Sequence, residues 1–175
     1  MILGKLVRLS LILAVALGVG ACGKSEEKIA DNMAEAALAK QGIKADIDSA
    51  NQKVTIQGKD GERMEYSGSG EGIKIPADFP KDVYIYEGAT AFSAMKANEG
   101  HTLSLSSADP LDKIAAAYKE KMKAAGFEEK TSAQTAGMTM MQYTRGKLNV
   151  MVQIASDGGD KTQIMLMVQE DQEQK

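Results

Sequence analysis

Few side chains in this sequence could do chemistry. They are Cys22, the single cysteine; His101, the single histidine; the carboxylates Asp157 and Asp160 flanking Gly158-Gly159; and a concentration of methionines toward the C-terminus. His101 is the only imidazole that could activate a hydroxyl, and Ser104, Ser106 and Ser107 follow it closely. A hydrolase using His101 is therefore one reading, set against an ordinary histidine at a strand edge. Zinc takes Cys, His and carboxylate ligands, about three of them from the protein at a catalytic site, and one Cys and one His do not supply that set. Calcium wants about six to eight oxygens, and the Asp157 to Asp160 turn lacks the EF-hand spacing, so solvated turn carboxylates are expected. Gly68-Ser69-Gly70-Glu71-Gly72 spaces its glycines as GxGxG and leads into a proline-containing stretch, which is not the dinucleotide fingerprint. No cofactor, no metal and no catalytic residue are expected.

Methionine is the unusual residue, eleven in all. Side chains alternate faces along a strand. Leu148, Val150, Val152 and Ile154 therefore point one way, and Asn149, Met151 and Gln153 the other. Met165 and Met167 likewise oppose Ile164, Leu166 and Val168. If the aliphatic face lies under a helix, the opposite face carries Met151, Met165 and Met167, with Met141 as a further member. That face is either a second core layer, covered by the first helix or by the other half of the chain, or an adaptable surface for a partner or apolar ligand, since methionine repacks readily. Thioethers also select Cu(I), so a periplasmic small-ligand or Cu(I)-binding module is an alternative function.

The front of the chain reads as an address. Lys5 and Arg8 precede an apolar stretch from Leu9 to Val19, and Gly20-Ala21 makes a small-residue exit. A spanning helix needs about 17 to 25 apolar residues, and this stretch is shorter. Val19-Gly20-Ala21-Cys22 resembles a bacterial lipobox: an aliphatic residue, two small residues, then the cysteine. The resemblance implies cleavage between Ala21 and Cys22, diacylglycerol on the Cys22 thiol and acylation of the new amino group. Each buried methylene contributes about 0.8 kcal/mol, so two or three acyl chains anchor essentially permanently. Gly23 stands where inner-membrane lipoproteins of Gram-negative bacteria commonly carry Asp. In a cell with two membranes the resemblance therefore implies the outer membrane, facing the periplasm.

Removing residues 1–21 takes away Lys5 and Arg8 and leaves 19 basic against 24 acidic side chains, a net charge of -5. The two signs are interspersed, as in Lys119-Glu120-Lys121, which argues against a nucleic-acid partner. With one cysteine no intrachain disulfide can form, so stability must come from packing.

The elements that must position these residues follow from periodicity and punctuation. Glu26 to Gln41 predicts a helix closed by Gly42. Ile43 to Asp48, Lys53 to Gln57 and Glu62 to Ser67 predict a small meander. Val83 to Tyr86, Ala89 to Lys96 and His101 to Ser106 read as strands. A second helix has Asp109 as N-cap, Pro110 at N1 and Gly126 at its end, with Leu111, Ile114, Ala115, Tyr118 and Met122 on one stripe. Phe127 to Thr131, Met138 to Arg145, Lys147 to Ala155 and Lys161 to Gln169 complete the strands.

The order αβββ then βββαββββ predicts the α+β class, an antiparallel sheet or sheets with two helices packed on them. The expected divisions are a signal peptide over 1–21, a tether over 22–28, a helix plus β-meander subdomain over 29–67, a Gly/Pro linker over 68–82, an α+β main domain over 83–169 and a polar tail over 170–175. The segment around Ala34 to Glu65, and Ile75 to Ala89 with the helix bearing Tyr118, resemble parts of uncharacterised bacterial exported lipoproteins. The function expected is a non-enzymatic binding or structural module of the cell envelope. Its expected partners are membrane lipid, through acylated Cys22, and an envelope protein.

Overall fold

The computed structural model describes residues 24–171 apart from 60 and 99, and of residues 24–27 the backbone alone. Among the described residues two α-helices, α1 (Lys24–Lys40) and α2 (Leu111–Ala124), and a short 3-10 turn at Ser49–Asn51 accompany nine strands. These are β1 (Lys44–Asp48), β2 (Lys53–Gln57), β3 (Arg63–Ser67), β4 (Thr90–Ala97), β5 (Gly100–Ser107), β6 (Glu128–Thr135), β7 (Met138–Arg145), β8 (Leu148–Ser156) and β9 (Thr162–Glu170). All nine join one antiparallel sheet in the order β1-β2-β3-β4-β5-β9-β8-β7-β6. The class is α+β, and sheet dominates it. The chain runs up and down through β5, crosses over β9, β8 and β7 as α2, and returns from β6 at the far edge. The segments either side of residues 68–82 share this sheet, because β3 pairs directly with β4.

One face of the sheet is the core. Leu103 and Leu105 of β5 lie opposite Leu166 and Ile164 of β9, which lie opposite Val152 and Ile154 of β8. All six are buried, and they pack with Ile114, Ala115, Tyr118 and Met122 of α2. The amphipathic stripe of that helix is thus used as its spacing predicts.

Both helices end in the same device. Gly126 takes φ +81°, its N–H donates to the Lys123 carbonyl and that of Phe127 to the Met122 carbonyl. Gly42 (φ +76°) and Ile43 repeat this on the Ala39 and Leu38 carbonyls, so both ends are Schellman caps. The start of α2 differs from expectation by one residue. Pro110 is the cap and, having no polar side-chain atom, makes no side-chain bond; the Asp109 carboxylate instead accepts from the Tyr86 hydroxyl at 2.7 Å and from Lys113 Nζ at 2.8 Å.

The expected strand from Val83 to Tyr86 is absent. Val83 N–H turns back to the Pro80 carbonyl and Ala89 N–H to the Tyr86 carbonyl, so this backbone joins no ladder. Its apolar residues point inward for another reason: Phe79, Val83 and Tyr86 are laid over the core face as a cover. Arg145 ties that cover down by an ion pair with Asp82, donates to the Ala125 carbonyl at 2.7 Å and stacks over the Phe127 ring at 4.8 Å.

At the other end of the sheet, α1 guards the edge strand β1. Glu35 Oε1 accepts the Ile47 N–H at 2.7 Å, and Asp31 accepts both the N–H and the hydroxyl of Ser49. An open edge presents unpaired backbone groups to any passing strand, and these carboxylates occupy them. The apolar spacing of α1 does less than it promises, since Leu38 is buried while Ile29 and Met33 are exposed.

Candidate functional site

The ladder lines up the residues that face away from α2. One row crosses all nine strands as Ala45, Ile56, Met64, Met95, Thr102, Met167, Met151, Gln142 and Thr131. The next runs Ile47, Val54, Tyr66, Ser93, Ser104, Met165, Gln153, Met140 and Ala133. Neither row holds a charged residue, in a chain that is 26% Asp, Glu, Lys and Arg. A random draw at that frequency would leave two such rows uncharged well under once in a hundred times. Charges at the β1 to β4 end fall on the other face: Lys44, Asp46 and Asp48 on β1, Arg63 and Glu65 on β3, Lys96 on β4; Glu128 of β6, opposite Thr144, shares the face of the rows but lies outside them.

None of the residues in the two rows is buried, and Tyr66 (42%), Met165 (38%) and Met140 (37%) are among the exposed large apolar side chains. Among the described residues, α2 and the cover from Phe79 to Tyr86 pack on the opposite side and α1 sits against β1. Of the two readings, a second core layer or an adaptable surface, the exposure of Tyr66, Met165 and Met140 fits the surface. Met151, Met165 and Met167 do share a face, with Met151 directly opposite Met167. Met141 does not join them. It lies opposite Val152, is fully buried and belongs to the core. Met64, Met95, Met140 and Tyr66 complete the face, and reasoning strand by strand did not collect them.

His101 opens onto the core side, in a cleft of about 200 Å³ lined by Arg63, Glu65, Asp78, Phe79 and Lys96. Arg63, Lys96 and His101 are neighbours in register on three adjacent strands. Each cation has its own carboxylate: Arg63 meets Glu65 and Lys96 meets Asp78, both at 2.8 Å. The His101 ring meets Phe79 edge to face at 5.9 Å. Ser104 and Ser106, an odd number of residues along, point to the other face. Ser107 Oγ accepts the Asp109 N–H at the far end of the strand. The cleft lining contains no serine and no cysteine, so His101 has no such nucleophile beside it.

Burial holds the His101 imidazolium below its ordinary range, with Lys96 adding to the effect and Asp78 and Glu170 opposing it. The unfolded chain then binds the proton more tightly than the folded one, so stability is full above about pH 6.5. It is lost as pH falls from there through the folded value. We expect the urea midpoint to fall between pH 7 and pH 5, and His101→Gln to flatten that slope, because the chain has a single histidine. A slope unchanged in the variant would remove this account.

Asp157 Oδ1 accepts the N–H groups of Gly159 and Lys161 at 2.9 and 3.3 Å, the behaviour of a turn carboxylate. Among the described residues no three His, Cys, Asp or Glu side chains cluster as a metal site, and no helix is long and apolar enough to cross a membrane. Ala21 and Cys22 lie outside the described residues.

Residues 90–173 match a family model described as START domain-like. The match opens at the first residue of β4 and takes in α2 and every strand from β4 to β9. That description is of a ligand-binding fold rather than a catalytic one. No curated protein and no solved structure matches the chain.

Proposed function

We propose that this chain is a lipid-anchored, non-enzymatic binding module of the bacterial cell envelope, tethered through Cys22 and binding through the uncharged face of its sheet. The observation that carries the binding half is the pair of uncharged, methionine-bearing rows across nine strands. An uncharged surface of this extent with clustered exposed methionines marks an interaction site more often than a solvated face. The START domain-like match supports a binding role for six of those strands, β4 to β9. The anchoring half is supported by Val19-Gly20-Ala21-Cys22, and the Gly at position 23 favours an outer membrane, facing the periplasm. Tethering confines the module to a surface and raises its effective concentration near an envelope partner.

A small-ligand site in the His101 cleft is the second reading, favoured by its converging charges and the Phe79 ring. Its volume of about 200 Å³ is below the roughly 300 to 1,000 Å³ usual for ligand pockets. The sheet face is therefore preferred.

Cys22→Ala tests the anchor. The wild-type chain is expected to take up an alkyne-tagged fatty acid and to sediment with membranes, and the variant to do neither. Labelling and sedimentation that both survive the substitution would end the lipoprotein reading.

A further inference from the structure

We infer that the uncharged sheet face is covered by the same face of a second copy of this chain, forming a two-sheet sandwich about a two-fold axis near β5. The inference rests on the reading of this face as the binding surface and does not require the lipid anchor.

Three observations carry it. The first is size. Nine strands about 4.8 Å apart, with same-face residues spread over about 20 Å along β5, give a patch of roughly 700 Å². A stable interface takes about 800 Å² from each partner, so one copy of the face supplies close to what is needed. The second is the lack of charge. A self-pairing surface meets its own charges, and like charges brought together cost stability; these two rows have none to bring together.

The third is the order of side chains across the sheet. The β1–β3 end is apolar, with Ile47, Val54, Ile56, Met64 and Tyr66. The centre, β4 to β5, carries three hydroxyls, Ser93, Thr102 and Ser104, beside Met95. The β9, β8 and β7 side carries Met165, Met167, Met151 and Met140, with Gln153 and Gln142 among them. β5 is the fifth of the nine strands, so the hydroxyls gather about the middle of the sheet, with methionine and aliphatic side chains on both sides of them. A two-fold through the middle lays hydroxyl on hydroxyl and apolar on apolar, which is what an isologous contact requires. Sheets packed face to face stand about 10 Å apart with interdigitating side chains, and unbranched methionines adapt to such a seam.

Ser104 lies near the proposed axis, so a thiol there meets its own copy whichever in-plane direction the axis takes. The full-length chain carrying Ser104→Cys, in a Cys22→Ala background with no other thiol, is oxidised mildly in cells, and the same is done with Cys22 intact. A disulfide-linked band at twice the chain mass is expected in both backgrounds, and its loss on adding Met151→Lys and Met167→Lys. Thr102→Cys on the same strand should repeat the result. Lys119→Cys, exposed on α2 over the other face, should give no such band.

Absence of the band at both β5 positions overturns the inference, as does equal crosslinking from position 119, which would mark collision only. A linked product of another mass would give the face to a different protein and overturn the second copy while leaving the binding surface standing. A band that survives Cys22→Ala keeps this inference apart from the fate of the anchor.

Discussion

Leu166→Ala is expected to cost about 3 to 4 kcal/mol, within the range for truncating a fully buried leucine whose surroundings close the space only in part. Met167→Ala, the next residue, should cost less than about 1 kcal/mol, as substitutions of partly exposed side chains usually do. The contrast comes from the ladder. Leu166 is fully buried between Leu103 and Val152, while Met167 lies between Thr102 and Met151 on the uncovered face. Lysine widens the difference. At position 166 it would put an ammonium into the core with no partner, which a domain of ordinary stability does not survive. At 167 in a single chain it would reach solvent. The measurement is the urea midpoint of each variant at unchanged slope, which reads stability alone. Equal losses at the two positions within a monomer would mean that the methionine face is covered core, and the binding reading would fall.

What the sequence shows of this fold follows the range of each signal. Along β8 and β9, strict alternation of Val and Ile with Asn, Gln and Met sorts the faces before any partner strand is known. β7 defeats the same reasoning, because Met140 and Met141 are adjacent and one of them must face each way. Only pairing settles it, through Met141 opposite Val152 and Met140 opposite Gln153. The stretch from Val83 to Tyr86 misleads differently. Burial needs inward side chains but not a ladder, and a covering loop with turns after Pro80 and Tyr86 meets that need.

The candidate site is a cross-strand object and so was legible only in part. Met151, Met165 and Met167 come from two neighbouring hairpin strands. Met64, Met95 and Tyr66 reach the same face from β3 and β4 through pairings that a single strand's sequence does not encode. The absence of charge is likewise invisible along the chain, where charged and uncharged residues alternate, and appears once the two faces are separated. Asp31 and Glu35 look like solvated helix charges in the sequence, yet they close the β1 edge.

The cover over the core face depends on Gly72, and its substitution is the second large effect expected. Gly72 has φ +78°, and a Cβ there would stand 2.6 Å from Thr90 Cγ2 and 2.8 Å from the Ala91 carbonyl oxygen. That oxygen is not free to move away, since it accepts the Ile73 N–H at 2.7 Å and starts the cover along β4. Gly70 is a matched control two residues earlier, with φ +81° and open space around the same atom. Gly70→Ala carries only the left-handed backbone penalty of about 1 to 2 kcal/mol. Gly72→Ala carries that and an overpacking cost of about 1 to 3 kcal/mol, so it should unfold at clearly lower urea. The shift should also loosen the cover, from Ile73 through Phe79 to Tyr86, which amide exchange reads directly as lost protection. Equal midpoints for the two variants would show that the backbone conformation alone matters here and that the contact with β4 holds nothing in place.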